Sequence, residues 1–161
     1  MSYAAGMRYG ILAFLFCTFA ACSSSEAPSR AVSSKEAKTL LIDRNWIDRM
    51  PETEKDKLYV YRFVPSMGGG VYQDRTLFKG TFELFMFEAT DGEIRFVLPE
   101  TKEKVTSKFV IENVDGPAPF DLKLTITDDP RGPHVYYGMR SETDKDGRLL
   151  DQRLRAKIIT N

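Results

Sequence analysis

The sequence predicts a mainly-β domain, an antiparallel meander closed into a small β-barrel, with short helices at one or both ends. Three observations carry that expectation. Apolar and polar residues alternate with a period of two along several short segments, most cleanly in Phe120–Thr127. Turn residues, in runs such as Pro65–Gly70, Thr90–Gly92 and Asp128–Pro133, separate those segments. No interior stretch has a helical pattern long enough for a βαβ crossover. A meander could fold as a sandwich or a barrel, and closure is preferred because it removes exposed edges.

The amino end is of another kind. Met7–Cys22 reads MRYGILAFLFCTFAAC: one basic residue, Arg8, then an uncharged run of 11 residues from Ile11 to Ala21, ending on small residues. This is the pattern of a secretory signal peptide. The run is too short to span a bilayer as a helix, which needs roughly 20 residues. Phe19-Ala20-Ala21-Cys22 resembles the lipobox of bacterial lipoproteins. That resemblance implies cleavage before Cys22, acylation of its thiol and new amino end, and a place in the cell envelope. With Ser23 rather than Asp after the cysteine, it implies the outer membrane over the inner. Cysteine arithmetic agrees: of two cysteines, Cys17 would be removed, and acylation would consume the remaining thiol.

The expected organisation is therefore a signal peptide over 1–21, a lipidated cysteine with a flexible tether over 22–38, and one barrel domain over 39–161. Ser23–Ser34 is rich in Ser, Ala and Pro and has no apolar periodicity. The 140 residues left after cleavage suit a single core that needs no metal or disulfide. Their net charge is near −1, without the basic excess that nucleic acid would require.

Lys35–Ile42 is expected to form a helical turn, with Ser34 as N-cap and Ala37, Leu40 and Leu41 inward. Trp46, the only tryptophan, is expected to plug one end of the core. In Leu58–Val64, Tyr59, Tyr61 and Phe63 form the inner face, since the other must accommodate Arg62. Val71–Tyr72 begins a short strand. Leu77–Glu88 is the longest strand candidate: Phe78, Gly80, Phe82, Leu84 and Met86 share a face, and Lys79, Thr81 and Glu83 form a polar outer face until Phe85 and Phe87 take over. Gly80 suggests curvature or a bulge.

Glu93–Leu98 puts Ile94, Phe96 and Leu98 inward, and Lys104–Glu112 groups Val105, Ser107, Phe109 and Ile111. Phe120, Leu122, Leu124 and Ile126 point in from the cleanest strand, and His134–Met139 gives the last, making six or seven strands in all. Leu150, Leu154 and Ile158 allow one amphipathic helix over Leu149–Ile158, either capping the sheet or fraying. Over about Leu40–Met139 the chain resembles the small lipocalin-like lipoproteins of bacteria: an early Trp46, a Gly/Phe-containing strand, then hairpins. Arg44 stands where the lipocalin pattern has Gly. The resemblance implies a cup for a small apolar ligand.

No catalytic or metal-binding set is expected. His134 is the only histidine and reads as a solvated turn residue; one histidine and no free cysteine exclude the usual zinc sets. Gly68-Gly69-Gly70 lacks the Lys-Ser/Thr of a phosphate loop, and SETDKDG, Ser141–Gly147, lacks the spacing of a calcium loop and reads as a solvated acidic turn. The expected sites are Cys22 for lipidation, and Tyr59, Tyr61, Tyr72, Arg131 and Tyr136 for contacts with a ligand or partner. The tyrosines have polar ends suited to a cavity mouth or interface, and Arg131 has a fork of donors suited to a partner's carboxylate. The plainer alternative is that the 14 aromatic rings of the mature chain fill the barrel. The function expected is that of a non-enzymatic, lipid-anchored envelope domain that binds a protein or serves in an assembly. A carrier of a small apolar ligand is the first alternative and an envelope enzyme the second. The expected associates are a membrane, through the lipid, and an envelope protein or apolar ligand, with no cofactor and no nucleic acid.

Overall fold

A computed structural model describes residues 30–144 and 147–160. The expected signal peptide, Cys22 and the expected tether as far as Ser29 lie outside the described residues. Among the described residues, Arg30–Ala31 form a short strand, β1, and Ser34–Leu41 form α1. Ser33, rather than Ser34, caps that helix by accepting the Glu36 amide at 3.3 Å. Ala37, Leu40 and Leu41 are buried beneath it, as their spacing predicts.

Eight further strands follow: β2 (Asn45–Ile47), β3 (Leu58–Val64), β4 (Gly69–Arg75), β5 (Gly80–Ala89), β6 (Glu93–Val97), β7 (Lys104–Asn113), β8 (Leu122–Thr127) and β9 (Val135–Gly138). Each pairs antiparallel with its neighbour in sequence, and β9 returns to β2 through Ile47 and Tyr137. The result is an eight-stranded antiparallel meander closed into a barrel, consistent with a lipocalin-like fold. The two strands beyond the six or seven expected are β1 and β2, each too short for alternation to register. β1 adds to the free upper half of β7, Arg30 opposite Asn113.

α1 covers one end of the barrel, the helix end; the β8–β9 turn closes the other, the turn end. Inside, Trp46, Tyr61, Phe63, Ile94, Phe96, Phe109, Ile111, Leu122, Leu124, Ile126 and Tyr136 are buried. Trp46 does plug the core, and its Nε1–H donates to the Leu41 carbonyl at 3.0 Å. Gly138 on β9 leaves room for that indole: a Cβ there would lie 3.0 Å from the ring. Arg44, two residues before the tryptophan, is buried and ties three segments together. Its Nε donates to the Leu40 carbonyl and its Nη1 to the carbonyls of Met139 and Glu142.

A second core lies outside the barrel. α2 (Arg148–Thr160) packs Leu150 and Leu154 onto Ile47, Leu58, Val60 and Leu77, so the outer face of β3 is as dry as its inner face. The carboxyl-terminal helix is a strap along the wall, rather than a cap over an end. The acidic turn before it is not simply solvated. Asp144 is 5% exposed, accepts from Asn45 Nδ2 at 2.6 Å, and accepts the Leu150 amide at 3.2 Å near the start of α2. Burial works against its charge, yet these bonds and the nearby Arg62 hold its carboxyl below the usual range.

β5 departs most from expectation. Its odd-numbered face is the inner one: Phe85 is buried and Glu83 and Phe87 point inward, while Phe82, Leu84 and Met86 are 72%, 56% and 64% exposed. Both faces of this strand are apolar, so alternation alone did not choose between them. Register does: Phe63 pairs with Gly70 and Gly70 with Phe85, which places the Phe85 ring over the glycine and against Phe63. Gly80 is the first residue of the strand, not a bulge within it. A Cβ there would run into Arg75 on β4.

Candidate ligand site within the barrel

The tyrosines expected at a rim converge inside the barrel. Tyr61 on β3 and Tyr136 on β9 are fully buried, and each hydroxyl donates to one oxygen of Asp129, Oδ1 and Oδ2, at 2.6 Å. Tyr72 on β4 packs on Tyr61 with ring centroids 4.7 Å apart, and its hydroxyl reaches the Arg131 carbonyl at 3.3 Å. Tyr59 is half-buried and stacks on Tyr72 at 6.1 Å. Burial, then the Asp129 charge, push the phenols of Tyr61, Tyr72 and Tyr136 well above their ordinary range.

Arg131 meets a carboxylate, but of its own chain. The β8–β9 turn folds into the turn end of the barrel and carries the side chain, only 5% exposed, to Glu83 on β5. Its guanidinium lies 4.6 Å from the Phe85 ring centre and 5.7 Å from that of Phe96. Burial would lower its pKa, but bonds to Glu83 and Tyr61 outweigh that and hold it above the ordinary value. Asp129 sets the turn by accepting the Arg131 amide at 3.0 Å through Oδ1. His134 is exposed, and its Nδ1 accepts the Asp129 amide at 3.3 Å.

Two residues that hold this network together, Asp129 and Glu83, were not singled out from the sequence. Asp129 sits in a turn, where no periodicity assigns a side to a side chain. Glu83 did carry a signal: it shares a strand face with Phe85 and Phe87, so once that face is inward its charge requires a buried counterion.

Above the network the barrel is filled by rings. Tyr61 lies against Phe63 at 5.3 Å and Phe85 at 5.7 Å, and Phe85 lies 5.6 Å from Phe96. Space opens at the helix end. A cleft of about 330 Å³ lies between α1 and the β5–β6 hairpin, walled by Ile42, Pro65, Phe87 and Ala89, with Lys38 and Thr39 at its lip. Phe87 links it to the core through Phe63, 5.1 Å away. A second groove, of about 340 Å³, runs outside the wall over Leu84 and Met86, between Met67–Val71 and Val97–Lys102.

Among the described residues no group of three or more His, Cys, Asp or Glu side chains is placed to hold a metal, and no helix is long and apolar enough to cross a membrane. Comparison with protein-family models, with curated proteins and with solved structures returns no match. The reading of this barrel rests on its own geometry.

Proposed function

We propose that this chain is a lipid-anchored, lipocalin-like carrier that binds a small apolar ligand at the helix end of the barrel. The observation that carries the reading is the cleft where inward-facing Phe87 and Ala89 meet Ile42 and Pro65 beside α1. Its volume of about 330 Å³ reaches the lower bound for small-molecule sites, which run from about 300 Å³. Lys38 and Thr39 at the lip suit a ligand with one polar end. The anchor is the acylated Cys22 implied by the lipobox, and the envelope is the setting, with the outer membrane favoured by Ser23. No chemical step is assigned: the buried Asp129, Tyr61 and Tyr136 bond one another, so their role is to hold the turn end shut.

The test is native mass spectrometry of the protein extracted from the membrane fraction, with displacement of a fluorescent apolar probe. A co-purifying small apolar molecule, and probe binding abolished by Ala89→Trp with the fold intact, support the carrier. Probe binding unchanged in Ala89→Trp removes the cleft as the site. Intact mass addresses the anchor separately: acyl mass present in the wild type and absent in Cys22→Ala is the expected result.

A further inference from the structure

We infer that the outer face of β5 lies against the membrane that holds the lipid anchor; the inference rests on acylation at Cys22. Phe82, Leu84 and Met86 project outward in succession, with Met67 and Phe78, 65% and 61% exposed, beside them. Val97 and Pro99 continue the surface across the lateral groove. A contiguous apolar face of this kind on a small domain calls for an occupant.

The tether supplies one. Seven residues separate Cys22 from Arg30, where β1 begins. Fully extended at about 3.5 Å per residue, the chain from Cys22 to Arg30 spans about 28 Å, so an acylated domain cannot leave the bilayer surface by more than about its own width. Arg30 is fixed to β7, and β7 stands two strands from β5 around an eight-stranded wall. A membrane plane tangent to β5 therefore passes about one barrel radius from the start of the tether, well within reach. β9 lies equally near on the other flank, but the exposed apolar stripe is on β5. The third wall, at β2 and β3, is covered by α2.

The rim has both signs, Lys79 and Lys102 with Glu100 and Glu103, all exposed. That mixture suits a zwitterionic headgroup layer, with the apolar side chains entering the boundary of headgroup and acyl chain as those of interfacial helices do. The lateral groove then opens toward lipid.

Acylated protein carrying Phe82→Cys, or Leu84→Cys as a second position, would be labelled with bimane and placed in phosphatidylcholine vesicles containing doxyl-labelled lipid. Thr127→Cys on β8, exposed and three strands away, is the reference. Loss of most of the bimane emission at 82 or 84, with little loss at 127, is expected. Equal quenching at all three positions overturns the orientation. Disulfide cross-linking between two copies of the unlabelled Phe82→Cys protein, with no quenching of the labelled one, also overturns it and assigns the face to a second copy of the chain. Intact mass separates the two proposals. Unmodified Cys22 ends the anchor reading and this inference with it; acylated protein without quenching ends this inference alone.

Discussion

Tyr61 on β3 and Asp129 in the β8–β9 turn, 68 positions apart in sequence, meet at 2.6 Å inside the barrel. The carboxylate takes a second hydroxyl, from Tyr136, at the same distance, and so clamps the turn to strands on both sides of the β2–β9 seam.

Removing that acceptor leaves two buried hydroxyls without their partner. Asp129→Ala should therefore destabilise the barrel by about 3 kcal/mol, and Tyr61→Phe, which deletes one donor, by about 1 kcal/mol. Urea unfolding checks this: the midpoints should fall in that order with unchanged slope.

The same network sets an alkaline limit. Tyr61 and Tyr136 hold their protons in the folded barrel well above the ordinary phenol value of about 10. Above that value the unfolded chain binds fewer protons than the folded one, so stability falls as pH rises. Absorbance at the phenolate band should show these two groups ionising only together with loss of the near-ultraviolet circular dichroism of the folded core.

Asp144 acts at the acid end. Its carboxyl lies below the ordinary value, so its contribution is present above about pH 3.9 and is lost as pH falls through the lower folded value. Asp144→Ala should lower the urea midpoint at pH 6 and shrink the further drop between pH 4 and pH 2.

Leu154, fully buried between α2 and the outer face of the barrel, tests whether the strap belongs to the cooperative unit. Leu154→Ala should cost about 3 kcal/mol. A transition that remains single in both far-ultraviolet circular dichroism and Trp46 fluorescence shows that helix and barrel unfold together.

Gly138 faces the Trp46 ring with room for hydrogen only. Gly138→Ala should cost about 1–2 kcal/mol by crowding the indole and Arg44. A red shift of Trp46 emission in the folded state is the direct readout.

Much of this architecture was legible in residue order. Leu122, Leu124 and Ile126 alternate strictly with polar neighbours and point inward, and Tyr59, Tyr61 and Phe63 were placed on the inner face because Arg62 stood on the other. Ala37, Leu40 and Leu41 marked the buried side of α1. β5 was ambiguous for a physical reason. Phe82, Leu84 and Met86 oppose Phe85 and Phe87 with similar apolarity, and only pairing with Gly70 on β4 decides which set faces in. Leu150 and Leu154 announced a helix but not the wall it would cover. The ties among Asp129, Tyr61, Tyr136, Arg131 and Glu83 join a turn to strands β3, β5 and β9, and no local pattern encodes such distances.

The seam between β2 and β9 also sets an order of events during synthesis. A chain emerging amino end first presents β2 long before Val135–Gly138 exists to meet it, and α2, which packs over the same wall, comes later still. Until then every hairpin made is part of an open sheet, with Trp46 lacking the glycine it rests on. The chain stays pliable until its last strand is delivered, and the barrel locks only then.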